Sequence, residues 1–151
     1  MVNVGQLVRE RNGADDVVLV GFGSFEGTVM AADFWGARLR VMRVPPARDR
    51  SLEHRLHQAL PRQQALFVFP PDDRPAGQAE EGRPWFQQEH DHRAIGVVHR
   101  PARERRGNYV PTCLADRYDA FCHLDHTTAL TPLHPERPGA GEEEETRPSG
   151  M

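Results

Sequence analysis

The sequence contains no lysine; all 19 of its basic residues are arginine. Such uniformity reads as the coding bias of a GC-rich genome and carries no functional argument by itself. Cysteine is nearly absent as well. Cys113 and Cys122 are the only thiols among 151 residues, and two cysteines exclude a disulfide framework. No apolar run approaches the roughly 18 residues of a membrane-spanning helix, and no signal peptide is read at the start. Apolar residues make up 38% of the chain, which is low for a globule that would bury roughly 70% of its extended surface. Positive charge is also in deficit. The net charge is −3, which argues against the field of a dedicated nucleic-acid binder. These absences lead to the expectation of a soluble, reduced, cytoplasmic protein with no membrane or nucleic-acid partner. The 13 prolines, 13 glycines and 27% charged residues add that a good part is loop or tail.

What the chain does have is one dense stretch at residues 15–29. Val17, Val18, Leu19 and Val20 form an unbroken apolar run, too short for a helix, and read as a strand buried on both faces. Gly21, Gly23 and Gly27 follow, and predict a sharp turn where an α/β protein usually keeps its site. Two enzyme motifs fail here. A dinucleotide fingerprint needs its third glycine one residue before Gly27, and no capped helix follows to hold a pyrophosphate. A serine nucleophile elbow needs glycines where Phe22 and Glu26 stand, so Ser24 reads as a turn hydroxyl.

Along the rest of the chain, Asn3 and Gln6 predict a capped helix with Val4, Leu7 and Val8 on one face. Arg9, Glu10 and Arg11 face solvent, and Asn12-Gly13 ends that helix. Residues 28–32 fit a strand or a short helix. Leu39, Val41, Met42 and Val44 predict a half-exposed strand. Ser51 caps a helix carrying Leu52, Leu56 and Leu60, which Pro61 ends. Residues 65–69 are another buried-strand candidate, and residues 94–98 are a third apolar strand. Between them, residues 70–92 read as a long exposed loop. Arg100, Arg103, Arg105 and Arg106, with Arg93 nearby, form a basic, solvated loop. Residues 119–124 are a last strand, and 139–151, with Glu142, Glu143, Glu144 and Glu145, are a disordered acidic tail. The order of strands and helices is that of an α/β protein.

Histidine and cysteine invite a metal reading. His123 and His126 make H-x-x-H, Cys122 adjoins them, Cys113 lies upstream, and His90 and His92 could join from the loop. In a strand, however, residues 122 and 123 point to opposite faces, and neither C-x-x-C nor H-E-x-x-H occurs. The residues therefore read as a buried thiol beside surface imidazoles, with His54 and His57 on the exposed face of the Ser51 helix. Asp116, Asp119 and Asp125 read as supporting or turn residues. No cofactor, metal or catalytic constellation is assembled from these residues.

Five blocks in order resemble the carboxyl-terminal part of the erythromycin esterase family. They are Asn3-Val4-Gly5-Gln6-Leu7-Val8-Arg9-Glu10-Arg11; Val17-Val18-Leu19-Val20-Gly21-Phe22-Gly23-Ser24 with Gly27-Thr28-Val29; Arg93-Ala94-Ile95-Gly96-Val97-Val98; Asn108-Tyr109-Val110-Pro111; and Tyr118-Asp119-Ala120-Phe121 running on to Leu130-Thr131-Pro132-Leu133. The resemblance implies a partial sheet-and-helix scaffold over residues 1–134, with 135–151 as the tail. It also implies a parent activity, the opening of an ester or macrolide lactone by a histidine general base acting on water, with no metal or cofactor. That activity carries the family's link to antibiotic resistance. The family's catalytic glutamates and histidines fall before the block at Asn3, and His126 stands where the family pattern has an acidic residue. No catalytic residue is therefore carried onto this chain. Gly23, Ser24 and Phe25 remain as candidate walls of a substrate cleft. The chain alone is expected to be inactive, with an ester or lactone and an amino-terminal half as its expected partners. The alternatives are a non-catalytic small-molecule-binding or interaction module and, more weakly, a metal-binding protein using Cys113, Cys122, His123 and His126.

Overall fold

The computed structural model describes residues 4–69 and 83–131; the expected acidic tail and the expected domain end at 134 lie outside the described residues. A four-stranded mixed sheet carries the architecture. Its strands are β1 (Val20–Ala31), β2 (Arg40–Val44), β3 (Gln64–Val68) and β6 (Ala120–Thr127), in the order β2-β1-β6-β3. β1 and β6 run parallel, whereas β2 and β3 are antiparallel to their neighbours. A separate antiparallel pair is made by β4 (Glu89–Arg93) and β5 (Tyr109–Cys113). Helices α1 (Val4–Asn12), α2 (Leu52–Ala59), α3 (Glu104–Gly107) and α4 (Leu114–Arg117) complete a mixed α/β chain.

The stretch at 15–29 folds differently from its sequence reading. The strand begins only at Val20, and Val18 is exposed. The glycines do not turn; they lie inside the 12-residue β1. Gly27 shows why a glycine is needed without a turn. It is the residue at which β1 passes from pairing with β6 to pairing with β2. Its φ is +140°, and a Cβ there would sit 2.0 Å from the Thr127 carbonyl oxygen. Only glycine fits so close to a neighbouring backbone. Residues 28–31 accordingly continue β1.

The sheet has one covered and one open face. Register alignment puts Val20, Ala120 and Val68 in one row and Phe22, Cys122 and Leu66 in another, on the same face. Val20, Phe22, Leu66 and Val68 are all exposed. β3 is therefore an edge strand with an exposed alternate face, not the buried strand expected from residues 65–69. The other face carries Phe121 and packs against α2. Leu52, Leu56, Phe69, Leu114, Ala115 and Phe121 form the apolar core there, joined by Phe67, Phe86 and Tyr118. Full burial of Phe121 and Leu52 contributes about 1.5–3 kcal/mol each.

Ser51 caps α2 as expected, its hydroxyl accepting from the His54 amide at 3.3 Å. α1 also forms, and ends where Gly13 at φ +90° donates to the Arg9 carbonyl. Arg9 does not face solvent, because it is paired with Asp119. Asp119 also accepts from the Leu19 amide at 2.7 Å, which ties the lead-in of β1 to β6. Residues 94–98 form no strand; a single bridge joins Val98 to Ala32. The expected loop at 70–92 holds structure in its described part, the 3-10 turn Trp85–Gln87 and β4. In β4, His90 and His92 alternate inward, so the strand has its period of two, but with imidazoles in place of aliphatic residues.

Arg93 ends β4 and is buried, not part of the basic loop with which the sequence grouped it. Its Nη1 donates to the carbonyls of Ser24 (3.1 Å) and Phe25 (3.0 Å), and its Nη2 to that of Pro45 (2.9 Å). Nη2 and Nε also donate to the Tyr109 hydroxyl, at 3.0 and 3.2 Å. The charge is balanced by Glu104 of α3, whose Oε1 lies 2.7 Å from Nε with both side chains buried. Removing one partner of such a pair leaves an uncompensated buried charge. Glu104→Ala is therefore expected to cost roughly 3–5 kcal/mol of unfolding free energy, read as a lowered urea midpoint. A loss below about 1 kcal/mol, the range of exposed pairs, would contradict the assignment.

Candidate active-site cleft

Glu53 lies in the first turn of α2, where a carboxylate suits the helix dipole and normally meets water. Here it is fully buried. Its Oε1 lies 2.6 Å from His92 Nδ1 and accepts from the Arg93 amide at 3.0 Å. The His92 ring meets Phe121 edge-on, with centroids 5.5 Å apart, and Tyr118 at 6.2 Å. Gly23 makes room for this arrangement. A Cβ at position 23 would lie 2.6 Å from the Phe121 ring and 3.4 Å from Glu53 Oε1.

Above this pair opens a cleft of about 720 Å³, lined among others by Phe22, Gly23, Ser24, His92, Arg117 and Tyr118. A cleft of this size is within the range of small-molecule sites. Burial pushes the Tyr118 phenol above its usual range against the opposing pull of Arg117, so it stays a neutral hydroxyl at neutral pH. Tyr109 is raised for the same first reason, burial.

Two of the three candidate wall residues, Gly23 and Ser24, line this cleft; the third does not. Phe25 is turned to α2, where its ring stacks on His57 with centroids 3.7 Å apart and planes 4° apart. His57 is accordingly not a free surface histidine, for its Nδ1 also lies 2.6 Å from Asp125 Oδ1. Asp125 accepts from the Arg62 amide with its other oxygen, at 2.9 Å, and so clamps the end of α2 to β6. His54 is half-buried, 3.9 Å from Asp49.

His123 is fully buried rather than on the surface. Its neighbours are Asp125, at 3.8 Å from Nε2, and the charge of Glu53, yet neither ring nitrogen has a hydrogen-bond partner among the described residues. Cys113 and Cys122 are free thiols, half-buried, and burial pushes the Cys113 thiol up. Cys122 shares a row with exposed Phe22 and Leu66, on the face opposite His123. His126 is mostly exposed and 3.9 Å from Glu26, while His90 meets the Trp85 carbonyl. Among the described residues, no group of three His, Cys, Asp or Glu side chains is placed to hold a metal ion. Asp116 is exposed on α4. No helix of the described residues is long and apolar enough to cross a membrane.

Sequence reasoning missed Glu53, His92, Arg93, Glu104 and Tyr109 as one network. A usable signal was the inward period of His90 and His92, which ends on Arg93 directly before an apolar run.

A model of the erythromycin esterase family matches residues 1–127 of the chain. The crystal structure of a succinoglycan biosynthesis protein is similar at a TM-score of 0.56 and 22% identity, over 84% of this chain and 28% of that one. The crystal structure of a Bacillus cereus protein is similar at a TM-score of 0.58 and 16% identity, over 82% of this chain and 28% of that one. At these identities the two structures show the fold. The chain spans little more than a quarter of either.

Burial, opposed in part by Asp125, holds the His123 imidazole below its usual pKa of 6.5. The unfolded chain then binds a proton that the folded chain refuses. Stability is full above about pH 6.5 and is lost as pH falls from there toward the folded value. One proton sets a ceiling of about 1.4 kcal/mol per pH unit on that slope. His123→Leu should flatten the dependence below about pH 6.5, measured by urea melts across pH. An unchanged slope in that variant would refute the assignment.

Proposed function

The chain belongs to the erythromycin esterase family, and we propose that it is the carboxyl-terminal portion of an esterase domain that supplies scaffold and one cleft wall. The parent reaction on this reading is hydrolysis of an ester or lactone, with a histidine general base taking a proton from water as the water attacks the carbonyl. The base and its acidic supports belong to the amino-terminal portion of such a domain, so this chain by itself turns nothing over. The observation that carries the reading is the family match across residues 1–127, joined to the share of the solved structures that the chain spans. The open apolar face carrying Val20, Phe22, Leu66 and Val68 supports it, because an α/β sheet ordinarily buries both faces. It offers the amino-terminal portion a surface to cover.

A second reading is favoured by the cleft itself. It is formed by this chain's own residues, among them Gly23, Ser24 and Tyr118, so the chain could bind a small molecule without changing it. Hydrolysis of a macrolide lactone and of simple aryl esters by the purified chain decides between activity and its absence. The expected result is no turnover above buffer alone, with turnover gained when an amino-terminal portion of a family member is co-expressed and co-purified. Turnover by the chain alone that survives purification and follows its elution profile would overturn the proposal.

A further inference from the structure

His92 and Glu53 form a buried imidazole–carboxylate pair at the wall of the cleft, and the function proposed above gives it no task. Glu53 is fully buried and His92 is 4% exposed. The contact between Oε1 and Nδ1 is 2.6 Å, a short hydrogen bond. An ionised carboxylate only accepts, which assigns the proton of this contact to Nδ1. A histidine oriented in this way has its tautomer fixed and its other nitrogen, Nε2, left as the basic one. Phe121 and Tyr118 pack against the ring edge-on and hold its plane. The Arg93 amide donates to the same Oε1, so the carboxylate itself is fixed from a second direction.

The cleft is lined by His92 together with Ser24, Arg117 and Tyr118. We infer that His92 is the proton-accepting residue of this cleft, its Nε2 taking a hydrogen bond from a hydroxyl or water of the bound molecule, with Glu53 as the positioning residue behind it. The ligand class this recognises is a neutral molecule with hydroxyl donors. Arg117 adds a positive charge at the rim and Tyr118 a hydroxyl, which suit carbonyl or ether oxygens of the same molecule. The inference rests on reading the cleft as a ligand site, but it does not require that the chain turn anything over.

Two measurements on the purified 151-residue chain test it without a ligand. Diethyl pyrocarbonate acylates an unprotonated, reachable imidazole nitrogen, and peptide mapping by mass spectrometry resolves each histidine. His92 is expected to react through the cleft, whereas fully buried His123 stays unmodified. An inert His92 beside a modified His126 would overturn the proposal. Long-range proton–nitrogen NMR spectra are expected to show His92 as the Nδ1–H tautomer; the opposite tautomer would also overturn it. Glu53→Gln should lower the His92 reaction rate and leave that of His126 unchanged. Should that variant not fold, the two wild-type measurements still decide. Reactive His92 in a chain that no amino-terminal portion renders active would refute the esterase reading alone. Inert His92 in an active complemented domain would refute this inference alone.

Discussion

One buried guanidinium holds the walls of the cleft together. Arg93 reaches the backbone of β1 at Ser24 and Phe25, the end of β2 at Pro45, and β5 through the Tyr109 hydroxyl. Glu104 brings α3 to the same point. Hydrogen bonds to a charged group contribute about 1.5–3 kcal/mol each when buried and well formed, and here several converge. Desolvating the arginine opposes that gain, and the buried acid offsets the cost. Arg48 adds an outer layer: it lies 4.4 Å over the Tyr109 ring, donates its amide to the Tyr109 hydroxyl, and pairs with Asp91 on β4. The β4–β5 pair shares no ladder with the main sheet, so these polar ties do work that a β-ladder would do elsewhere.

The same region is where a chain with 38% apolar residues places its buried polar side chains. Glu53, His92, Arg93, Glu104 and His123 are all within the interior, beside the smaller apolar core around Phe121 and Leu52. Burying so many ionisable groups is costly unless they are paired, and four of the five are paired in two couples, Glu53 with His92 and Arg93 with Glu104. Fixing these side chains specifies one geometry for β1 and β4, and hence one shape for the cleft they line. Gly23 belongs to this logic, since the Phe121 ring and Glu53 occupy the space its side chain would need.

Much of the scaffold was legible in the sequence. Ser51 and the four-residue spacing of Leu52 and Leu56 gave α2, Asn12-Gly13 gave the end of α1, and the apolar residues from Leu39 to Val44 gave β2 as a half-exposed strand, although not which of them turn inward. The family blocks were legible too, because several short matches in order constrain more than one motif does. The polar interior was not. Local pattern reads apolar residues as inward and charged ones as outward, so Arg93 looked solvated, Glu53 and Glu104 drew no notice, and β4 looked like loop. Their burial depends on partners 11 to 39 positions away, as with Arg93 and Glu104 or Glu53 and His92, and no local period carries that. The glycines at 21, 23 and 27 misled for a related reason. A glycine can signal a turn or a close approach, and only the position of Thr127 and Phe121 decides which.

The claim that Arg93 joins the cleft walls is tested most directly by amide hydrogen exchange in Arg93→Met. The Ala47 amide donates to the Phe25 carbonyl and the Arg48 amide to the Tyr109 hydroxyl, so both report on elements tied by the guanidinium. The account predicts that these two amides lose protection together with the β4–β5 ladder, while Leu60 at the end of α2 keeps its own. Loss confined to β4 and β5, with Ala47 and Arg48 still protected, would show that the walls are held independently and would contradict it.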